Sequence, residues 1–247
     1  MQSHTVIRVI WLRQLFVGSL NFPVAYIRML AITVLSSLYE SVPREYFQCR
    51  ACSFLGYRHT GAHPHGLRDS TEPLPFSGWG VPTVSATEKR YNPMPYHNGS
   101  VRPHDNALIG YGFARYGMHE KALHILTAMY DASSEVDLHR LPELFCGFHR
   151  RGNAGAPILH PVACAPQAWA AGAVYLLLGA CLGMKIDAGE RYVQFENPQL
   201  PAGVSELEIR GLKVGEASAH LLIRRHSRGI DVEVLEKHGQ LEVRKRI

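Results

Sequence analysis

The stretch Tyr96-His-Asn-Gly-Ser-Val-Arg-Pro-His-Asp-Asn-Ala-Leu108 carries the sequence from a polar loop into an apolar helix. A second stretch, Leu141-Pro-Glu-Leu-Phe145, sets one carboxylate among a proline and large apolar residues. Two helical patterns lie between these stretches. Polar groups that a rigid helical scaffold holds together on loops are typical of an active site. We therefore predict that the fold is organised around a functional site at these two stretches.

The composition indicates a folded chain with room for one large domain or two small ones, at 247 residues. Apolar residues make up 46% and charged residues 19%, which excludes disorder along the whole chain. The net charge of +5 is spread along the sequence, without a dense basic stripe interleaved with aromatics, so we expect no nucleic-acid partner. Five scattered cysteines form no disulfide framework, and we expect a reducing, cytoplasmic compartment.

Residues 1–74 differ from the rest of the chain, and we predict that they form an atypical leader. The most apolar window, 22–39, carries Arg28 near its middle, whereas a membrane span needs about 20 nearly uninterrupted apolar residues. The stretch 31–39 is a poor match to a secretory signal. Two packed helices, or a segment that is not the native start of the protein, remain as interpretations. We expect no stable membrane association.

A cysteine pair and a histidine cluster in the leader have the residue types of a zinc site. The gap between them is shorter than the usual finger loop of about 12 residues, and the surrounding glycines and prolines favour a linker. We therefore expect neither a metal nor another cofactor. The residues concerned are Cys49, Cys52, His59, His63 and His65.

Helical periodicity begins after residue 75. We predict one helix from Asp105 to Tyr116, stopped by Gly117, and a second from Glu120 to Ala132. A third runs from Gln167 to about Leu182, just after Pro166, a residue type that suits the first position of a helix. Its run of uncharged residues, 168–184, falls just short of a membrane span and predicts a helix buried on all sides.

Alternating apolar and polar residues after Lys185 predict short strands that close the chain as an antiparallel sheet or meander. The chain thus divides into a leader (1–74), a helical part (75–184) and a β segment (185–247). The predicted strands are Tyr192–Glu196, Leu207–Leu212, Ser218–Arg225, Ile230–Glu236 and Gln240–Arg244.

Glu143 is the strongest catalytic candidate. Cleavage of a glycosidic bond usually needs two carboxyl groups, one to protonate the leaving oxygen and one to activate water or attack carbon. The apolar neighbours of Glu143 predict partial desolvation and a raised pKa, so its basicity would depend on a polar contact such as His139 or Arg140. An ordinary helix-end carboxylate in a surface loop is the alternative.

Five other residues are candidate sugar contacts. His104 and Asp105 could hydrogen-bond sugar hydroxyls, although an Asp before an apolar helix is most often an N-cap. His97 and Asn98 are similar, but Asn-Gly is also ordinary turn chemistry. Trp79 lies in a glycine-flanked loop and could serve as a flat platform for a sugar ring or simply pack in the core.

Several blocks of sequence occur together in one order from about Phe76 to the C-terminal end. Together they resemble the bacterial amylo-alpha-1,6-glucosidases, which are glycogen debranching enzyme-like proteins among the six-hairpin, glucoamylase-like glycosidases. The blocks are Phe76-Ser-Gly-Trp-Gly80, Arg90-Tyr-Asn-Pro93, Tyr96-His-Asn-Gly-Ser-Val101, Pro103-His-Asp-Asn-Ala-Leu108, Leu138-His-Arg-Leu-Pro-Glu-Leu-Phe145 and Pro161-Val-Ala-Cys-Ala-Pro-Gln-Ala-Trp169.

The resemblance implies a mainly α fold, a partial (α/α)6 toroid of helical hairpins followed by the C-terminal antiparallel β segment. It also implies hydrolysis of α-glucosidic linkages by inversion, with the site at one mouth of the toroid. The family's Leu-Pro-Glu loop supplies the general base, which corresponds to Glu143. The implied substrate is an α-glucan or oligosaccharide, and the predicted contacts are Trp79, His97, Asn98, His104, Asp105 and Arg140.

Two departures from the family pattern matter. Arg102 stands where the family usually has tryptophan, which replaces a stacking ring with a charge. The family's general acid lies upstream in a Trp-Lys-Asp-Ser-like segment, and this sequence has no such segment. The expectation is the C-terminal part of a debranching-type enzyme, weak or inactive alone, with the missing N-terminal part of the barrel as a partner. A non-catalytic carbohydrate-binding or interaction remnant, and a protein anchored in a membrane through residues 6–39, are the alternatives.

Overall fold

The computed structural model of the protein describes residues 5–8, 76–152 and 155–246. The proposed zinc ligands and the membrane or signal windows of the leader lie outside the described residues. The described helices are α1 (Pro103–Arg115), α2 (His119–Ser134) and α3 (Ala168–Cys181), with a short 3-10 helix at Asp137–His139. The strands are β1 (Thr5–Arg8), β2 (Met184–Asp187), β3 (Tyr192–Glu196), β4 (Val204–Val214), β5 (Ala217–His226), β6 (Gly229–His238) and β7 (Glu242–Arg246).

The predicted mainly α fold, a partial (α/α)6 toroid, is wrong for the described part of the chain. Its strands contain slightly more residues than its three helices, and the architecture is mixed α and β. In this part of the chain, irregular loops pack against the helices. Trp79, Val101 and Phe145 come from such loops and share one apolar core with all three helices. The periodicity located the helices, but it could not show which elements pack on them.

The helices lie where the periodicity predicts them, and their starts differ from the predicted ones by one or two residues. α1 begins at Pro103, with Arg102 as an N-cap that makes no side-chain capping bond. Proline suits this first position because its missing N–H would have no helical partner there. Asp105 is therefore not the N-cap but lies within the first turn, where the positive end of the helix dipole stabilises its negative charge. α3 begins after Gln167, whose side chain accepts the Ala168 N–H, so Pro166 precedes the helix.

The strands form two sheets rather than one closing meander. Strands β4, β5 and β6 are an antiparallel meander, as predicted, and β1 pairs with β4 in parallel. The last strand leaves this sheet. It pairs in parallel with β3, whose other neighbour is the unpredicted antiparallel strand β2. The two sheets share a second apolar core, which includes Phe195, Leu221 and Ile223.

The C-terminal end of α3 connects the two cores. Leu178 packs against both of them. The Gln199 N–H donates to the Cys181 carbonyl at 2.8 Å, and the Glu196 N–H donates to the Gly183 carbonyl at 3.1 Å. A Cβ at Gly183 would lie 1.9 Å from the Glu196 carbonyl oxygen, and its φ of 56° favours glycine.

α3 is not buried on all sides as predicted. One side of the helix is buried, including Ala173 and Leu177, but Trp169 is half-exposed and Tyr175 is partly exposed. Gly172 also lies on the open side, where an added Cβ would have no atom within 4 Å. None of the helices in the described part of the chain is both long and apolar enough to cross a membrane.

A loop ladder, formed by the bridges Pro82–Val101, Val101–Phe145 and Phe145–Leu159, connects four irregular segments. Val101 and Phe145 exchange two backbone hydrogen bonds, of 2.9 and 3.0 Å. Beside this pair, Gly147 approaches Gly99 so closely that a Cβ at Gly147 would lie 1.7 Å from the Gly99 carbonyl oxygen. The ladder therefore brings the two polar loops of the sequence into direct contact.

We expect Gly147→Ala to destabilise the fold by about 1–3 kcal/mol, because the new methyl group must push the two loops apart. Gly172→Ala is the matched control. It adds the same atom to an open helical position, where alanine is expected to stabilise by roughly 0.5–1 kcal/mol. Urea unfolding monitored by circular dichroism measures both changes. An equal effect of the two variants would contradict the close approach.

Candidate active site

Glu143 is a buried carboxylate at the centre of the candidate site. It precedes the ladder residue Phe145 by two positions, and Leu141, Leu144 and Phe145 anchor this segment in the interior. The Glu143 side chain is 8% exposed. Among the residues that the structure describes, it is the only charged side chain that is buried. An isolated buried charge is strongly unfavourable, so its hydrogen-bond partners determine what it can do.

Two segments hold the Glu143 carboxylate from opposite ends. The Tyr96 hydroxyl donates a short hydrogen bond to Oε1. The Cys164 backbone N–H donates to Oε2 at 3.3 Å, and the Glu143 N–H donates to the Cys164 carbonyl at 2.9 Å. An ionised carboxylate can accept about four hydrogen bonds. With these two and a contact from the Cys164 thiol, Glu143 keeps the capacity to accept a further hydrogen bond from water.

Tyr96 is itself held in place by the loop that leads into α1. Its carbonyl accepts hydrogen bonds from the Ser100 hydroxyl at 2.7 Å and from the Arg102 guanidinium at 2.9 Å. The Arg102 guanidinium carbon lies 4.7 Å from the centre of the Tyr96 ring, a cation–π contact. His160 packs edge-on against the ring, with 5.7 Å between centres. The guanidinium charge of Arg102 thus has a defined place beside Tyr96, which donates to the Glu143 carboxylate.

The pKa of Glu143 is lowered from its ordinary value, so the predicted raised pKa is wrong. The hydrogen bond from Tyr96 is the largest cause, and the backbone N–H of Cys164 and the charge of Arg102 act in the same direction. Burial opposes them and is outweighed. The same hydrogen bond raises the pKa of Tyr96. Glu143 is therefore ionised at neutral pH.

His139 does not supply the expected polar contact of Glu143. The His139 Nδ1 lies 3.3 Å from the Ser133 carbonyl oxygen, and the polar contacts of Glu143 come from Tyr96 and Cys164 instead. Arg140 is half-buried and directly precedes the Leu141 segment, so it remains a candidate substrate contact beside the site.

Asn106 anchors the loop that contains Tyr96 to the apolar core shared by the three helices. This fully buried amide accepts a hydrogen bond from the Val81 N–H at 2.8 Å and donates to the Val81 and Arg102 carbonyls, each at 3.0 Å. A buried amide with satisfied donors and acceptor rigidifies its surroundings. Its place one helical turn after the loop, on the buried side of α1, is a signal that the sequence analysis did not use.

His97 and Asn98 lie exposed on the same loop as Tyr96. The His97 Nδ1 lies 3.1 Å from the Arg102 guanidinium nitrogen, and the Thr83 hydroxyl donates to the His97 carbonyl at 3.0 Å. The loop is therefore ordered, with these two polar side chains facing solvent at the edge of the site. Both remain predicted sugar contacts.

The remaining predicted contacts have different surroundings. Trp79 is 3% exposed, and the Arg150 guanidinium carbon lies 4.4 Å from the centre of its ring, so it packs in the core rather than offering an open platform. The His104 imidazole stacks on Trp169, with 4.4 Å between ring centres, and its Nε2 lies 3.2 Å from the Asp105 carboxylate. The structure thus brings His104 and Asp105 together beside an aromatic ring that the sequence analysis had not assigned.

Tyr96, Cys164 and Trp169 are the site residues that sequence reasoning missed. All three belong to the blocks that carry the family resemblance, which was the available signal. Their roles depend on contacts between distant parts of the chain, since 47 residues separate Tyr96 from Glu143 and 21 separate Cys164 from it. Periodicity and turn chemistry report only on near neighbours in the sequence.

Comparisons with known proteins leave the family resemblance as a prediction. No protein-family model matches the sequence, and no curated protein matches it significantly. Within the described residues, no group of three or more histidine, cysteine or acidic side chains is arranged to hold a metal ion.

The lowered pKa of Glu143 predicts a specific pH dependence of stability. Because the folded-state pKa lies below the ordinary 4.5, ionisation of Glu143 stabilises the fold above that value, and this contribution is lost as the pH falls through the folded-state pKa. Tyr96→Phe removes the largest cause of the shift. We therefore expect the stability of this variant to fall less steeply on acidification than that of the wild type.

Urea unfolding at a series of pH values from 7 to 3 measures this difference. Tyr116→Phe, which removes a hydroxyl at the end of α1, is the matched control and should keep the wild-type profile. Parallel pH profiles for Tyr96→Phe and the wild type would show that the Tyr96 hydrogen bond does not hold Glu143 ionised.

Proposed function

We propose that Glu143 is the general base of a glycoside hydrolase of the amylo-alpha-1,6-glucosidase (glycogen debranching) type, acting on α-glucosidic linkages by inversion in the cytoplasm. The single observation that carries the proposal is the buried, ionised carboxylate held by Tyr96 and Cys164. The resemblance of the Leu-Pro-Glu segment to the family's base loop supports the same assignment.

The geometry suits the activation of a water molecule. In an inverting hydrolase, the base removes a proton from water while the water oxygen attacks the anomeric carbon. A base with a low pKa gains less from proton transfer than one with a pKa near neutrality. Rigid placement offsets this loss, because a fixed carboxylate orients water without a further entropic cost. The hydrogen bonds to Oε1 and Oε2 provide such placement.

The general acid must be a residue other than those around Glu143. Inverting hydrolases need a second carboxyl group to protonate the leaving oxygen. The resemblance implies that this acid lies upstream of residue 76, or in a second polypeptide that completes the site. We therefore expect weak turnover, or none, when this chain alone meets a natural α-glucan, because its leaving group must be protonated.

α-D-Glucosyl fluoride separates the base from the acid. Its C–F bond breaks with the electron pair leaving on fluoride, which needs no protonation, while water forms the new C–O bond and gives its proton to Glu143. We expect fluoride release above the buffer rate, with β-glucose as the first product by NMR. Glu143→Gln should reduce the rate at least about a hundredfold, because the base is lost.

Glu135→Gln is the control for this experiment, because Glu135 is an exposed glutamate at the end of α2. It should keep the wild-type rate. Fluoride release by the wild type that survives in Glu143→Gln would refute the base assignment, and so would a wild-type rate equal to that of buffer.

A non-catalytic carbohydrate-binding role is the second candidate. It is favoured by the exposed polar side chains of His97 and Asn98 at the edge of a site that holds one buried carboxylate. Binding of maltodextrin without fluoride release, unchanged by Glu143→Gln, would support this role over catalysis.

A further inference from the structure

Trp169 is an exposed aromatic side chain with one face covered. It lies in the first turn of α3 and is 52% exposed, although a tryptophan in a folded protein is highly buried on average. The His104 imidazole stacks on it almost in parallel, with 4.4 Å between ring centres and 11° between planes. Since the imidazole covers one face of the indole, most of the exposed area belongs to the other face and the ring edge.

The covered face is rigid. His104 lies in the first turn of α1, which packs against α3. The His104 Nε2 lies 3.2 Å from the Asp105 carboxylate oxygen, and its Nδ1 is buried. The imidazole therefore cannot rotate freely, and the indole rests on a fixed plane. A preorganised aromatic ring loses little conformational entropy when a ligand covers its open face.

We propose that Trp169, backed by His104, is the stacking platform of an outer sugar-binding subsite that takes a pyranose ring of an α-linked glucan. This inference rests on the proposed function and identifies where the substrate chain extends from the base. A pyranose offers an apolar face of C–H groups and a rim of hydroxyls. The open indole matches that face, and the Gln167 side chain, two residues before Trp169, is a hydrogen-bonding group for the rim.

The position of Trp169 relative to Glu143 determines the kind of ligand. Trp169 is five residues from Cys164, whose backbone N–H bonds Glu143. Five residues span at most about 18 Å. The platform therefore lies within the length of a short oligosaccharide from the carboxylate. The subsite therefore binds a sugar unit that lies further along the glucan than the scissile bond. As a consequence, affinity increases from glucose to longer glucans.

The test is isothermal titration calorimetry of the full chain with glucose, maltose and maltoheptaose. We expect maltoheptaose to bind most tightly, and Trp169→Ala to weaken its binding at least about tenfold, through loss of the stacking surface. Trp169→Phe keeps an aromatic ring and should restore part of the affinity. Leu138→Ala is the control, because Leu138 is an apolar side chain of the same part of the chain that is 69% exposed. It should leave affinity unchanged.

The outcomes distinguish the platform from the catalytic proposal. Equal affinity of the wild type and Trp169→Ala for maltoheptaose, or no binding by the wild type at millimolar concentration, would overturn the platform, whatever the fluoride assay shows. A Trp169-dependent affinity together with no Glu143-dependent fluoride release would support the platform and reject the catalytic base. Thermal melting checks that each variant is folded. We expect Trp169→Ala to fold, because the Trp169 side chain is half-exposed.

Discussion

The two backbone hydrogen bonds between Val101 and Phe145 are the constraint on which the candidate site depends. They join loops that lie more than 40 residues apart in sequence and contain no regular secondary structure around the site. A single bridge positions only one pair of residues. Three successive bridges, together with the close approach of Gly147 to Gly99, leave little freedom for either loop. The contact between Tyr96 and Glu143 is a consequence of this register.

The buried carboxylate shows how desolvation and hydrogen bonding compete. Burial alone favours the neutral acid, and an apolar segment such as Leu141–Phe145 predicts that result. The hydroxyl of Tyr96 and the N–H of Cys164 replace the water that burial removes, and the guanidinium of Arg102 adds a favourable charge. The site is therefore built to keep a negative charge in the interior. Arg102 contributes to this through the position where a stacking tryptophan was expected.

The sequence predicts local structure better than packing. Helical periodicity located all three described helices to within a few residues, and alternation located β3 and the meander β4–β6. The starts of α1 and α3 were misplaced because capping depends on individual backbone angles at Arg102 and Gln167. The short strand β2 was missed, and β7 was assigned to the wrong neighbours, since pairing with β3 is a long-range choice.

The same distinction explains the candidate site. Glu143 could be selected as a candidate from its own neighbours, since a carboxylate flanked in sequence by a proline and large apolar residues is unusual. The direction of its pKa could not be predicted, because the residues that set it come from two other segments. The exposure of Trp79 and Trp169 could not be predicted from their neighbours in sequence either. The glycines around Trp79 allowed either an open or a packed ring, and the ring is buried, whereas Trp169 lies at the start of an uncharged helix and is half-exposed.

The surface of α3 shows why the prediction of a helix buried on all sides is wrong. An uncharged helix predicts apolar neighbours on every side, as a ring of hairpins would provide. In this structure, α1 and the irregular loops cover one side of α3, and the sheets contact its C-terminal end at Leu178 and Gly183. On its open side, α3 leaves Trp169 half-exposed and Tyr175 partly exposed, beside small residues such as Gly172. The absence of charge along a helix therefore does not by itself predict burial on every side, because burial depends on which neighbouring elements pack against each face.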